Sequence, residues 1–107
     1  MPYEAHEPQT FEETVDLVLD GMRAVLIERQ RKYGPENIRR HGEIGLAVRC
    51  GDKLARLDHH YFGEGKETPD ESIDDSWTDL GNYAVIALMV RRGLWGLPLS
   101  DEPKEVA

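Results

Sequence analysis

The stretch that decides the fold is residues 68–93, TPDESIDDSWTDLGNYAVIALMVRRG. Thr68 and Glu71 have the spacing of a capping box, in which a threonine and a glutamate satisfy free amide groups at a helix start. Residues 83–90 are apolar on nearly every side of a helix, which is typical of a helix buried by several neighbours. Gly93 supplies a stop signal. The stretch therefore predicts one long central helix in an all-α domain.

This helix carries an acidic ladder, defined here as Glu71, Asp75 and Asp79. The i, i+4, i+8 spacing places the three carboxylates on one face, where oxygen ligands could hold Mg²⁺ or Mn²⁺. The alternative is a solvated acidic face at a helix N-terminus, where carboxylates are favoured by the dipole. Asp79 fits that alternative less well, because it is two turns in and its face becomes apolar at Ile86. A carboxylate beside a buried face needs a partner.

Nearer the N-terminus, a first helix is predicted from about Phe11 to Arg31. Thr10 and Glu13 form another capping-box pair, and apolar residues follow at helical spacing. The run at 33–35, Tyr-Gly-Pro, ends this helix because glycine and proline interrupt helical geometry. An alternative role for this turn gives Tyr33 a stacking contact with a base and Lys32 a phosphate contact. On physical grounds alone, the helix stop is the better interpretation.

A second helix is predicted to start between Arg40 and Glu43 and to reach about Tyr61. An apolar arc occupies one side of it and consists of Ile44, Ala47, Val48, Leu54 and Ala55. The remaining side carries a charged cluster of Arg49, Asp52, Lys53 and Arg56. These charges form surface salt bridges in one interpretation, which stabilise little. In the other, Asp52 faces the acidic ladder and Lys53 or an arginine meets phosphate oxygens.

The predicted fold is an all-α bundle of three main helices, completed to a four-helix type by a short helix or by dimerisation. Residues 10–96 form the single domain, flanked by a flexible N-terminus at 1–9 and a flexible acidic tail at 97–107. The chain has 107 residues. The apolar circumference of 83–90 exceeds what three short helices cover, so a dimer is expected.

Composition limits the classes of function. The net charge of −8 disfavours a nucleic-acid binder, which usually presents a basic face, although a metal ion can screen carboxylates from nucleotide phosphates. No apolar run approaches the ~18 residues of a transmembrane helix. Cys50 is the only cysteine, which excludes an intramolecular disulfide and favours the cytoplasm.

Three segments together resemble a known family: KYGPEN at 32–37, GLAVRCGDKLARL at 45–57 and ESIDDSWTDLGNYA at 71–84. They resemble a phage and bacterial family of small nucleotide-modification-associated domains, which is similar to the MazG-like all-helical nucleotide pyrophosphohydrolases. The resemblance covers about residues 32–90. Its most specific part is the combination of DKLxR with DxxxDLxNYA.

The resemblance implies a bundle that dimerises or tetramerises and cleaves a nucleoside triphosphate, with magnesium, to the monophosphate and pyrophosphate. The expected metal ligands are Asp52, Asp75 and Asp79. Glu71 is expected as a further ligand or as the base that activates water. The expected partners of the phosphates are Lys53, Arg49, Arg56 and Lys32, with Lys53 acting in catalysis. Asn82 and Tyr33 are expected to contact the sugar or base.

The sequence departs from the family pattern of an ExxE motif followed by an ExxD motif. Arg49 stands three residues before Asp52, where an acid is expected, and Ser76 stands three before Asp79. A second hypothesis is therefore a nucleotide-binding or regulatory module without catalysis. A third is a helical oligomerisation or adaptor domain that binds no nucleotide.

Overall fold

A computed structural model describes residues 7–63 and 72–101, and these residues form three α-helices and no strand. In chain order the helices are α1 (Phe11–Tyr33), α2 (Glu36–Phe62) and α3 (Ile73–Arg91). The all-α class predicted from the sequence is confirmed. None of the described helices combines the length and the apolar composition that crossing a bilayer requires.

Helix α1 begins and ends where its sequence signals predict. The amide of Glu13 donates to the Thr10 hydroxyl at 3.1 Å, and the Thr10 amide donates to the Glu13 carboxylate at 3.2 Å. After Tyr33, Gly34 adopts a φ of 70°, a left-handed conformation that glycine enters without steric cost. No residue of α1 is buried, and Phe11 and the rest of its N-terminal half are exposed.

Helix α2 starts at Glu36, so its predicted start between Arg40 and Glu43 is wrong. Gly42, with φ 58° and ψ −145°, breaks the helical geometry inside this predicted interval. The sequence signal thus marks a kink rather than a start, because glycine allows a non-helical residue between two helical segments. Helix α2 ends at Phe62, one residue after the predicted end near Tyr61, and Gly63 follows it.

Helix α3 begins at Ile73, and the prediction of a continuous helix from Thr68 is wrong. Ser72 has an extended backbone, and its hydroxyl accepts a hydrogen bond from the Asp75 amide at 3.0 Å. Serine is a favoured N-cap, so the helix starts after it. The predicted cap at Thr68 and the ladder residue Glu71 lie outside the described residues. Asp75 consequently sits in the first turn, where the helix dipole favours a carboxylate.

The interior of the bundle is small and half polar. Leu46, Leu57 and Ile86 are its buried hydrophobic side chains, and Ser76, Asp79 and Asn82 are buried with them. Apolar residues recur at helical spacing on α3 and predict a buried stripe of Ile73, Trp77, Leu80, Ala84 and Ala87. This stripe is not the buried face, because Trp77 is half exposed. Hydrophobic periodicity identifies the core face only when the core is apolar, whereas α3 turns a polar stripe inward.

The segment after α3 folds back over the turn between α1 and α2. The indole nitrogen of Trp95 donates to the carbonyl of Pro35 at 3.0 Å. Further along, Arg31 donates to both carboxylate oxygens of Asp101, at 3.0 and 2.8 Å. The segment after α3 therefore places Trp95 against the C-terminal end of α1 and covers that side of the bundle.

Candidate functional site

A cleft of about 280 Å³ opens between the three helices and the segment after α3. Its apolar lining includes Leu26, Ile38 and Ile86, and its polar and aromatic lining comes from all four parts of the chain. Four residues singled out from the sequence line it: Tyr33, Arg49, Asp79 and Asn82. The structure therefore brings together residues that lie far apart along the chain.

Asp79 is the acidic centre of this cleft, and its side chain is only 8% exposed. Arg29 Nη1 lies 3.1 Å from its Oδ1, and Lys53 Nζ lies 3.0 Å from its Oδ2. Each carboxylate oxygen thus has its own cation, one from α1 and one from α2. The partner that a buried carboxylate requires is supplied here by two basic side chains.

Positive charge dominates around Asp79. Arg29 and Arg49 both line the cleft and Lys53 contacts Asp79, which is the only acidic residue in the lining among those that the structure describes. Arg49 is half-buried and makes no ion pair or hydrogen bond within the described part of the chain. Although the chain has a net charge of −8, the described lining of its cleft therefore carries two arginines and one carboxylate. Such a cleft attracts anions.

Asn82 forms a hydrogen bond between two helices and also lines the cleft. Its side-chain nitrogen donates to the backbone carbonyl of Met22 at 3.1 Å, which ties α3 to α1. Gly81, the preceding residue, lies so close to the Met22 side chain that an added Cβ would clash with it. The close approach of α1 to α3 at this point positions Asn82 in the lining.

Aromatic and amide side chains complete the lining. Tyr33, Tyr83 and Trp95 contribute rings, and Gln30 and Asn37 contribute amides. Trp95 is held by its hydrogen bond to the α1–α2 turn. Lys32 is exposed, with its ammonium 5.4 Å from the centre of the Tyr33 ring. The rings offer flat apolar surfaces, and the amides offer both donors and acceptors.

The carboxylates expected to hold magnesium are not gathered in the described part of one chain. No group of three or more His, Cys, Asp or Glu side chains there could hold a metal ion. Asp52 and Asp75 are exposed and do not line the cleft, while Asp79 is occupied by Arg29 and Lys53. The described residues therefore do not fit a carboxylate-bound metal, and the candidate Glu71 lies outside them.

The rotation of α2 about its axis explains why Lys53, rather than Asp52, contacts Asp79 of the acidic ladder. Helix α2 faces α3 through Leu46 and Leu57, and Lys53 falls on the same helical line. Asp52 is rotated by about 100° from Lys53. Arg56 is half-buried beside this line and has an interaction, although it does not line the cleft.

Sequence reasoning missed Arg29, Gln30, Asn37 and Trp95. A signal for Arg29 was present, because Met22, Leu26 and Arg29 share one helical face. A cation that ends an apolar stripe on the inner face of a helix indicates a buried acidic partner. No comparable pattern indicates Trp95, whose position depends on the fold of the segment after α3.

Comparisons with known proteins add no relative. No protein-family model, curated protein or solved structure matches this chain. The resemblance noted above therefore rests on the three quoted segments, and the activity it implies is a proposal.

Proposed function

We propose that this chain binds a nucleotide in its central cleft. The observation that carries the proposal is the meeting of Arg29 and Arg49 with aromatic and amide side chains in one cleft. Guanidinium groups bind phosphates through paired hydrogen bonds. Aromatic rings stack on bases, and amides bond to base or sugar edges. The volume of about 280 Å³ is close to the lower end of small-molecule sites, as expected for an open cleft.

The reaction we propose is hydrolysis of a nucleoside triphosphate, with magnesium, to the monophosphate and pyrophosphate. It is supported by the resemblance of the three sequence segments, and by the presence of Asp79 and Arg49 in the same cleft. When bound, a metal ion would polarise the phosphoryl group and activate water. No residue is assigned to hold it, because the described carboxylates do not form a ligand set.

A nucleotide-binding module without catalysis is the second candidate. The specific observation in its favour is the ion pairing of Asp79, whose two oxygens already contact Arg29 and Lys53. A carboxylate in this state holds cationic side chains in place, and each of its oxygens already contacts a cation. Both candidates share the same nucleotide-binding cleft, so one experiment addresses them together.

A panel of NTPs and dNTPs with Mg²⁺ is expected to identify at least one nucleotide that raises the melting temperature. At a concentration 100 times Kd, binding stabilises the folded chain by about 2.7 kcal/mol. Release of monophosphate and pyrophosphate in the same samples identifies the hydrolase, and binding without turnover identifies the module. No shift and no turnover with any nucleotide would reject both and leave the adaptor hypothesis.

We also propose a second copy of the chain as a partner. Trp77 donates its indole N–H to the hydroxyl of Tyr61 at 3.1 Å, and both side chains are half exposed. Leu54 lies two turns before Tyr61 on the same line of α2 and is 46% exposed. We call Leu54, Tyr61 and Trp77 the Trp77 surface. It lies on the side of α2 away from Arg49, so a dimer using it would leave the cleft open.

The need for this partner comes from the size of the interior. Residues 7–63 and 72–101 contain three buried hydrophobic side chains, which is few for a domain of this length, since such a domain usually has an extensive apolar core. An exposed apolar surface of several large side chains is typical of a protein interface. A homodimer, or a homotetramer built from two such dimers, would bury it. The proposed location is the cytoplasm, where nucleotide substrates are present.

A further inference from the structure

We propose that the cleft binds the phosphate groups of its ligand through Arg29 and Arg49 without a divalent cation, with Asp79 as the residue that positions Arg29. This inference rests on the proposed nucleotide site and concerns ligand binding only. It favours the binding module without catalysis over the magnesium-dependent hydrolase. The ligand class is a polyphosphate anion, of which inorganic pyrophosphate is the simplest member.

The charge of Asp79 is already paired with two basic side chains. Its two oxygens contact Arg29 and Lys53 at 3.1 and 3.0 Å, and the Lys53 side chain is only 14% exposed. A divalent cation bound to either oxygen would stand beside one of these positive groups and be repelled by it. The two basic side chains therefore supply the positive charge at Asp79 that a metal ion would supply.

Arg49 is a second arginine in the lining of the cleft. This arginine is half-buried in the lining and has no ion pair or hydrogen bond within the described residues. Partly desolvated guanidinium groups are usually paired, because an unpaired charge is costly to remove from water. Within the described lining Asp79 is the only acid, and it already pairs with Arg29 and Lys53. An anion from outside the described residues is the partner that Arg49 lacks, and a bound phosphate group has the required charge.

The side chain of Arg29 is 46% exposed. It contacts Asp79 through one terminal nitrogen, Nη1. A guanidinium group has five N–H donors, so the other nitrogens remain able to bind a phosphate. Asp79 fixes the direction of this side chain from α3, and the anion binds between Arg29 and Arg49. Asp79 is thus a positioning residue, not a group that contacts the ligand.

The test is a calorimetric titration of the full chain with inorganic pyrophosphate, in excess EDTA and again in Mg²⁺. We expect the two dissociation constants to agree within about threefold. Arg49→Gln is expected to weaken binding by about 10- to 100-fold, the usual effect of one charge-assisted hydrogen bond. Arg40→Gln removes the same charge from an exposed position of α2 and is expected to leave the affinity unchanged.

The role of Asp79 is tested by a double-mutant cycle in EDTA, read out as pyrophosphate affinity. Asp79→Asn is expected to weaken binding less in an Arg29→Gln background than in the wild type, because its effect acts through Arg29. A purely structural role would lower the melting temperature without this coupling, and additive effects on affinity would reject the positioning role.

Failure of this inference and failure of the proposed nucleotide site would give different results. Binding of pyrophosphate or nucleotide only when Mg²⁺ is present would overturn the metal-independent inference and leave the proposed nucleotide site intact. If neither ligand binds in any condition, the nucleotide site and this inference are both rejected.

Discussion

Leu46→Ala is expected to lower the free energy of unfolding by about 2–5 kcal/mol, the range for a leucine removed from a closely packed core. Leu46 is only 2% exposed and is one of the two buried residues of α2, the helix that packs on α3. The effect is large relative to the total, because domains of this kind are stable by about 5–15 kcal/mol. Urea unfolding at a fixed protein concentration measures it, since dimerisation would make the stability depend on concentration.

The matched control is Leu97→Ala, which removes the same side-chain atoms from an exposed position after α3. Its expected effect is within about 0.5 kcal/mol, as for most surface substitutions. A change below 1 kcal/mol for Leu46→Ala would contradict the packing described for α2 and α3.

Leu54→Asp is expected to convert a dimer into a monomer, with a loss of dimer affinity of at least about 100-fold. In a two-fold symmetric interface the substitution places a carboxylate on both subunits, and each unpaired charge is costly to bury. Within one chain the cost is smaller, because Leu54 is 46% exposed. Light scattering across a range of protein concentrations reads out the association directly.

Leu17→Asp is the control for this variant. Leu17 is exposed on α1 and lies away from the line of Phe11, Val15 and Val18, so the same change of residue should not affect association. A compact wild-type monomer at all concentrations would reject the second copy as a partner. A dimer that survives Leu54→Asp would place the interface elsewhere.

The local signals in the sequence predicted most helix boundaries. The capping box at Thr10, the stop at Gly34 and the end of α2 at Gly63 all depend on residues within one turn of each other. The starts of two helices were predicted wrongly because the effect of a nearby residue was overlooked. Ser72 caps α3 in place of the predicted Thr68, and Gly42 allows a kink where a helix start was expected.

The candidate site was predicted only in part. Tyr33, Arg49, Asp79 and Asn82 were identified and do line one cleft, while Arg29 was not identified. The metal ligand set and the enzymatic activity stay predictions. Cleft residues could be predicted one by one because the type of a residue indicates whether its side chain can bind phosphate. The pairing of these side chains could not be predicted, because it depends on how a neighbouring helix is rotated.

The local pattern of residues was enough to predict the all-α class, the three helices and the presence of acidic and basic groups suited to a charged ligand. Only the tertiary structure decided that Asp79 meets Arg29 and Lys53 rather than Asp52. Spacing along a helix places side chains on a face, but the packing of all helices together decides which face turns inward. In this chain α3 turns its polar face inward and leaves Trp77 outside, which its apolar pattern did not predict.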